Sequence, residues 1–566
     1  MKIPPLFDGM VEPCSIRELL SIAAAKYKNQ MAFSYREKPS DKEPIKHSYV
    51  QLAYDVKSLG TEACARGFSG MHIALIGKLS YNWMLCYLSF MAIGACVVPL
   101  DKDWTAEDLA DTVKKADCSV LVCDEDLSEK AELICKTAGI SAPIILTGKT
   151  QGDSIDAMIE SGRELVSGGD KSYSMVKVDP KKLSLLVFTS GTTGKGKGVM
   201  LSQKNILSNV ADGLKLLHVE GQKTISVLPP HHTYCSTIGI LAPLYGGAGI
   251  YISSGIRYIM QEMKSERPDF MVLVPLFLET FCRKIKAAVK EKGLDKNLER
   301  MMKISDKLVK GKIDLRRKMF SSILSSFGGK LNMLVSGGAP LPSETYKFFT
   351  SLGIEVVVGY GITECSPLIS ANRVGFNEDG CAGIPIPSAT VKIDAVGDDG
   401  EGEICVKGPN VMLGYYKDEA ATDETFDGDG YFRTGDIGRL DKYGRIFITG
   451  RLKNLIILSN GKNVYPEEIE NELASIPGVL EIVVYEGISA RGYEHNAVVA
   501  EIYMDPEFVA ASDIGDEKEY LAPFVEKYNK NAVPYKKINQ VRVRKTDFPK
   551  NTLRKIMRFK IDRNID

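Results

Sequence analysis

A chain of 566 residues in which 72 Lys and Arg balance 72 Asp and Glu is several ordinary domains long and has no basic surplus, so neither a single small core nor a nucleic-acid partner is expected. Its 44% hydrophobic fraction is that of a globular protein. The 12 cysteines lie scattered, without a C-x-x-C pair or a His cluster at metal-ligand spacing, which points to reduced thiols in a cytoplasmic setting.

The opening MKIPPLFDGM lacks the apolar core of a signal peptide. Leu79 to Leu100, LSYNWMLCYLSFMAIGACVVPL, carries no charge and is long enough to raise a membrane span. Gly94 is a helix stop, however, and ACVVPLD after it reads as a short strand, so the prediction is an interior helix followed by a buried strand. Val- and Ile-rich runs recur along the chain: HIALIG at 72, SVLVCD at 119, LSLLVFTS at 183, TISVLPP at 224, DFMVLVP at 269, LNMLVSGG at 331 and IEVVVGYG at 354. Separated by turns and amphipathic stretches, they predict an α/β fold with parallel-rich sheets and ligand-binding loops at the strand ends. Between them, Arg283 to Lys318 is strongly basic and reads as a solvated helix pair or as a patch for an anionic surface or polyanionic cosubstrate. After about residue 384, Asp-Gly and Tyr-Gly turns predict a small antiparallel β module. From Leu452, the helix PEEIENELASI and the strands EIVVYEGI and AVVAEIYM predict a compact α+β end domain, with a linker near Arg451 to Asn454.

The loop TSGTTGKGKG, Thr189 to Gly198, follows a strand and matches the Walker pattern G-x-x-x-x-G-K-S/T until Gly198 stands in place of the hydroxyl that binds magnesium. Its glycines let backbone approach a polyphosphate, its hydroxyls donate, and Lys195 and Lys197 add charge; a flexible surface loop has the same composition. VSGGAPLP from Val335 suits a flat ring lying against backbone. In GYGITE, Tyr360 is placed to stack on a purine, Thr363 to bond a phosphate and Glu364 to hold magnesium. Asp436, closing RTGD, suits the vicinal hydroxyls of a ribose. Singly, a tyrosine is as well explained by packing and a turn aspartate by local capping.

In their shared order and spacing, FTSGTTGKGKGVMLS, LPPHHTY, SGGAPLP, GYGITE, GEICVKGPNVMLGYY, YFRTGD, GRLKNLIILSNGKNVYPEEIE and PKNTLRKIMR resemble the acyl-adenylate-forming superfamily over nearly the whole chain. Within it, LSNGKNVYPEEIE and the basic stretch are most similar to long-chain fatty acid–CoA ligases. The resemblance implies a large N-terminal domain, residues 1–451, and a small mobile C-terminal domain, residues 452–566. It implies ATP, Mg2+ and coenzyme A with a carboxylic acid as the small-molecule partners, and an acyl-adenylate formed with release of pyrophosphate. Peripheral association at the inner membrane face belongs to the same expectation. A fatty acyl-AMP ligase that loads an acyl carrier protein, and a catalytically silent nucleotide- or acyl-binding sensor, are the alternatives.

By the same resemblance Thr189, Ser190, Gly191, Thr192, Thr193, Gly194 and Lys197 cradle the β- and γ-phosphates. Gly338, Ala339, Pro340, Tyr360, Gly361, Thr363, Asp436 and Arg451 complete the ATP site, and Glu364 holds magnesium. Lys555 is the catalytic lysine, with Glu364 and Thr189 beside it in catalysis; chemistry alone does not choose it over Lys550, Arg554 or Arg558. His232, Gly337 and Gly359 are expected in the acyl pocket, Lys453 at the hinge and Gly461 in the CoA channel. The chain departs from the family pattern at Gly196, which replaces a usual proline or serine and is expected to loosen the loop, at Asn454, where aspartate is common, and at TLRK, where SGK is frequent.

Overall fold

In the computed structural model, residues 3–148, 153–189, 196–394, 400–458, 463–489, 497–550 and 556–565 are described. Strands such as Cys96–Leu100, Phe270–Leu273 and Met333–Ser336 are buried at every position, so both faces of their sheets need cover. Two large sheets meet that need. In one, the described order is Ile384–Pro385, Leu368–Ala371, Glu355–Gly361, Met333–Ser336, Phe270–Leu273, Lys223–Ser226, Gly249–Ile252, Met31–Tyr35 and Ile45–Ser48. Its central pairings are parallel, and the last pairs at both edges are antiparallel. The other runs Gly414–Tyr415, Lys197–Ser202, Leu183–Thr189, Cys96–Leu100, His72–Ile76, Cys118–Cys123 and Ile144–Leu146.

Strand alternation assigns the faces. Ile73, Leu75, Val97, Leu185 and Val187 of one sheet share a core with Val272, Val335 and Val357 of the other, and the helices Tyr49–Ala65, Tyr81–Ala92 and Gln203–Leu216 fill the layer between. The residues next to them in sequence, Ala74, Val98 and Leu186, face outward onto helices Ala106–Lys115 and Ser128–Ala138. Met271, Leu273, Leu334 and Val356 face outward onto Pro275–Glu291 and Ser343–Ser351.

This layering accounts for the uncharged segment at 79–100. Helix Tyr81–Ala92 is capped by Ser80, whose Oγ accepts from Trp83 N at 3.1 Å, and every one of its residues except Asn82 is buried. At about 1.5 Å per residue it reaches only some 18 Å, well short of a bilayer. Among the described residues no helix is long and apolar enough to cross a membrane.

The antiparallel module follows as expected, with Thr390–Asp394, Gly402–Lys407, Phe432–Leu440 and Ile446–Arg451 side by side. A single 3-10 turn, Leu452–Asn454, leads out of it. Residues from Ile456 onward then build two hydrophobic clusters of their own. These lie around the three-stranded sheet of Val479–Gly487, Ala497–Met504 and Gln540–Arg544.

One contact tests the layering. Helices Tyr49–Ala65 and Ile155–Ser167 approach so closely that a Cβ on Gly162 would overlap the Ser58 carbonyl. Gly162→Ala is expected to destabilise the chain by about 1–3 kcal/mol, read as a lower midpoint of the first denaturant transition. Gly428→Ala, where a Cβ meets open space, should leave that midpoint unchanged.

Candidate active site

The glycine-rich loop is the link of a β-hairpin. Leu183–Thr189 and Lys197–Ser202 pair antiparallel, with Thr189 opposite Lys197 and Phe188 opposite Gly198. A Walker loop leads into a helix, whereas this one leads into a strand. A Cβ at Gly198 would lie 3.1 Å from Leu186 and 3.2 Å from Phe188, so the Walker hydroxyl has no room there. Ser190, Gly191, Thr192, Thr193, Gly194 and Lys195 lie outside the described residues. At the loop's two ends, Thr189 Oγ1 donates to Lys197 O at 3.5 Å, and Lys197 Nζ stands 4.7 Å over the ring of Tyr415. Gly196 itself is closely packed. A Cβ there would come 2.5 Å from the Thr189 carbonyl, and Lys115 Nζ donates to Gly196 O at 3.0 Å.

Tyr415 connects the loop to the acid. Its short strand pairs with Lys197–Ser202, and its hydroxyl donates to Glu364 Oε1 at 3.0 Å. Burial, and then the Glu364 charge, push the phenol's pKa upward. Glu364 sits in the 3-10 turn Thr363–Cys365 just past strand Glu355–Gly361, and its backbone O accepts from Met412 N at 2.8 Å. The preceding Gly361 is there for backbone packing, since a Cβ would overlap the Pro367 carbonyl. Among the described residues no three metal-ligating side chains cluster. A single carboxylate beside the glycine-rich loop is nevertheless a donor set that suits magnesium, which is commonly held by one or two carboxylates together with substrate phosphates.

Asp436 lies opposite Arg451 in the antiparallel module, and its side chain is 4% exposed. Tyr360 Oη donates to its Oδ2 at 2.8 Å and Arg451 Nε to its Oδ1 at 2.7 Å. The Asp436 charge raises the Arg451 pKa, and burial raises that of Tyr360. The structure thus brings together Tyr360 and Asp436, expected at the base and the ribose, with Arg451. Lys453 follows in the 3-10 turn, and Asn454 Nδ2 donates to Glu467 Oε1 at 2.6 Å. An aspartate at this position would lose that donor and face Glu467 as a like charge.

A narrow apolar cavity of about 80 Å³ starts at this polar cluster. Gly337, Gly338, Gly359, Tyr360 and Gly361 line one part of it; Leu216, Val219, Ile238 and Phe270 line another, between helix Gln203–Leu216 and the nine-stranded sheet. Tyr234 forms part of the wall, anchored by its hydroxyl to Leu273 O at 3.1 Å, and its ring comes 2.9 Å from where a Gly337 Cβ would be. His232, expected in this pocket, does not line it. It packs instead on His231, ring centroids 4.1 Å apart, while His231 Nε2 stands 3.7 Å from the buried Asp101 Oδ2. Burial lowers the His231 pKa. Ala339 and Pro340 lie exposed on the loop that follows strand Met333–Ser336.

Tyr234, Tyr415, His231 and Asp101 were not singled out from sequence, although three of them stand inside the quoted motifs LPPHHTY and VMLGYY. Lys555 and Gly461 lie outside the described residues. Two of the basic neighbours of Lys555 are occupied within their own domain: Lys550 pairs with Glu481, and Arg558 pairs with Glu470 and donates to Val484 O at 3.1 Å.

Residues 20–416 match the family model described as AMP-binding enzyme. Long-chain-fatty-acid–CoA ligase 5 of Mus musculus is 32% identical over 510 residues, covering 84% of this chain and 74% of its own. The Rattus norvegicus protein of the same name is 31% identical over the same shares. The crystal structure of the anthranilate CoA ligase AuaEII in complex with anthranoyl-AMP superposes with a TM-score of 0.77 at 18% identity, over 99% of this chain and 98% of that one, a likeness of fold.

Tyr415→Phe removes the hydroxyl on Glu364 and keeps the ring under Lys197. It is expected to weaken magnesium-dependent ATP binding about tenfold by titration calorimetry, the cost of losing a hydrogen bond to a charged group. Binding measured without magnesium should change little.

Proposed function

The chain belongs to the AMP-binding enzyme family, and from that premise we propose that it is an ATP-dependent fatty acid–CoA ligase working through an acyl-adenylate. One observation carries the substrate class. The cavity that opens beside Tyr360 and the glycines at 337, 338 and 359 is walled by apolar side chains, glycines and the rings of two tyrosines, so it suits an aliphatic tail whose carboxylate stays at the polar end.

In the first half-reaction the carboxylate attacks the α-phosphate in line and pyrophosphate leaves. Thr189, Lys197 and the intervening loop hold the β- and γ-phosphates, and the pair of Asp436 and Arg451 orients the ribose. Glu364 would hold magnesium, which neutralises charge on the polyphosphate when bound. Lys555 bridges carboxylate and α-phosphate; that Lys550 and Arg558 are already paired with glutamates supports it over those two. In the second half-reaction the CoA thiol attacks the mixed anhydride and AMP leaves. Residues 1–451 and 452–566 are proposed as the two domains, with Lys453 as hinge and Gly461 lining the thiol channel. The separate cores beyond Ile456, joined to the rest by one short turn, support that division. Peripheral membrane association belongs to the same reading, since long-chain acids partition into lipid.

The test is incubation of the purified protein with ATP, magnesium and a pool of fatty, aryl and short acids, with and without CoA, followed by mass spectrometry. AMP, pyrophosphate and a fatty acyl-CoA are expected. Adenylate that accumulates until a carrier protein is added would move the acceptor to that protein, and release of ADP would overturn the reading. Lys555→Ala should abolish adenylate formation yet leave thiolysis of supplied acyl-adenylate largely intact. Gly213 lines the cavity, and a Cβ there meets only Ile238 at 3.9 Å. Gly213→Leu should therefore shorten the longest acid accepted, raising KM for long chains at least tenfold while short acids turn over normally.

A further inference from the structure

Between Arg283 and Lys318 the sequence places fourteen basic side chains against five acidic ones, in a chain that is neutral as a whole. Helix Asp295–Lys310 carries the centre of this stretch. It buries Leu298 and Ser305 and packs Met301 and Met302 on the core beneath, which turns Lys296, Arg300, Lys303, Lys307 and Lys310 outward at four- and three-residue spacing. All five are exposed, and none has an acidic partner among the described residues. Neighbouring cations are engaged: Lys286 with Glu344, and Arg316 with Asp314 at 2.7 Å. The row is therefore a stripe of unpaired cations that outnumbers the helix's own Asp295, Glu299 and Asp306.

Apolar side chains stand exposed beside it: Leu294 at 46%, Ile304 at 43%, Ile313 at 51% and Leu315 at 46%. Ile313 and Leu315 belong to the turn after the helix, a segment exposed from Gly311 to Leu315. Cations interleaved with exposed aliphatics fit a bilayer interface, where lysines meet headgroups and aliphatic side chains enter the acyl boundary. Nucleic acid fits less well, because the stretch holds no aromatic residue to stack on a base and a phosphate backbone offers nothing to the aliphatics.

We propose that helix Asp295–Lys310 and the following turn form a docking surface for anionic phospholipid bilayers. This specifies the membrane association of the fatty acid–CoA ligase reading and rests on that reading for its purpose. The helix packs on helices Pro275–Glu291 and Ser343–Ser351, which cover the outward face of the nine-stranded sheet, and the cavity lies on the other face, so docking leaves the cavity clear.

The experiment is co-sedimentation of the full chain with vesicles of phosphatidylcholine alone or with about 30% phosphatidylglycerol, at roughly 50 mM and 500 mM NaCl. Binding is expected only to the anionic vesicles, weakening at least tenfold at the higher salt. The combined variant Lys296→Glu, Arg300→Glu, Lys303→Glu and Lys307→Glu should lose at least tenfold in that binding and keep its turnover of a short soluble acid. Ile313→Ser with Leu315→Ser should lower binding at both salt concentrations. No binding of the parent, equal binding to neutral vesicles, parent-like binding by the charge-reversed variant, or displacement from vesicles by duplex DNA or an acidic carrier protein at equal charge would overturn the proposal. Acyl-CoA formation, measured on the same samples without vesicles, reports separately on the ligase reading.

Discussion

A buried carboxylate ties the parts of this molecule together. Asp436 accepts from Tyr360 at the end of a main-sheet strand and from Arg451 at the last strand residue before the end domain, while itself belonging to the antiparallel module. Left without partners, a carboxylate so little exposed would be costly, on the order of several kcal/mol. Two substructures distant in sequence, the nine-stranded sheet and the antiparallel module, are therefore held in register at one point, and that point borders the apolar cavity.

The rest of the site follows from where strands end. Strand Glu355–Gly361 delivers Tyr360 and, one turn later, Glu364; the hairpin of Leu183–Thr189 and Lys197–Ser202 delivers Thr189 and Lys197; Tyr415 joins the two by a hydrogen bond on one side and a cation over its ring on the other. Glycine appears where backbone or ring must come close: at 337 against Tyr234, at 361 against the Pro367 carbonyl, and at 196 against the Thr189 carbonyl. What looks in sequence like a flexible loop composition is at these positions a requirement of tight packing.

Much of the fold was legible because its signals are local. The runs at 72, 119, 183, 269, 331 and 354 are strands, and the uncharged segment at 79–100 is an interior helix and strand, since the helix ends before Gly94, short of membrane length. Glu364 stood out in a glycine-rich turn after a strand, and Asp436 in what read as a turn, although the structure sets it within strand Phe432–Leu440. Tyr415 and Tyr234 did not, because an aromatic among apolar neighbours has the same local signature whether it packs or orients a carboxylate. His232 and His231 were indistinguishable by spacing, and only the folded turn shows His231 facing Asp101.

The sequence alone determined the layered α/β architecture, the antiparallel module, the α+β end domain and the family motifs, because hydrophobic periodicity, turn residues and short motifs are properties of neighbours along the chain. Tertiary structure decided which strand faces meet, that the glycine loop closes a hairpin, that Gly196 is tightly seated, and that Tyr360 and Arg451 converge on Asp436. It also decided that the apolar cavity begins at their side and that the basic stripe of helix Asp295–Lys310 faces solvent unpaired. Apart from the hairpin with its Gly196 and the single-helix stripe, those are relations between residues tens to hundreds of positions apart, set by burial and close packing in three dimensions.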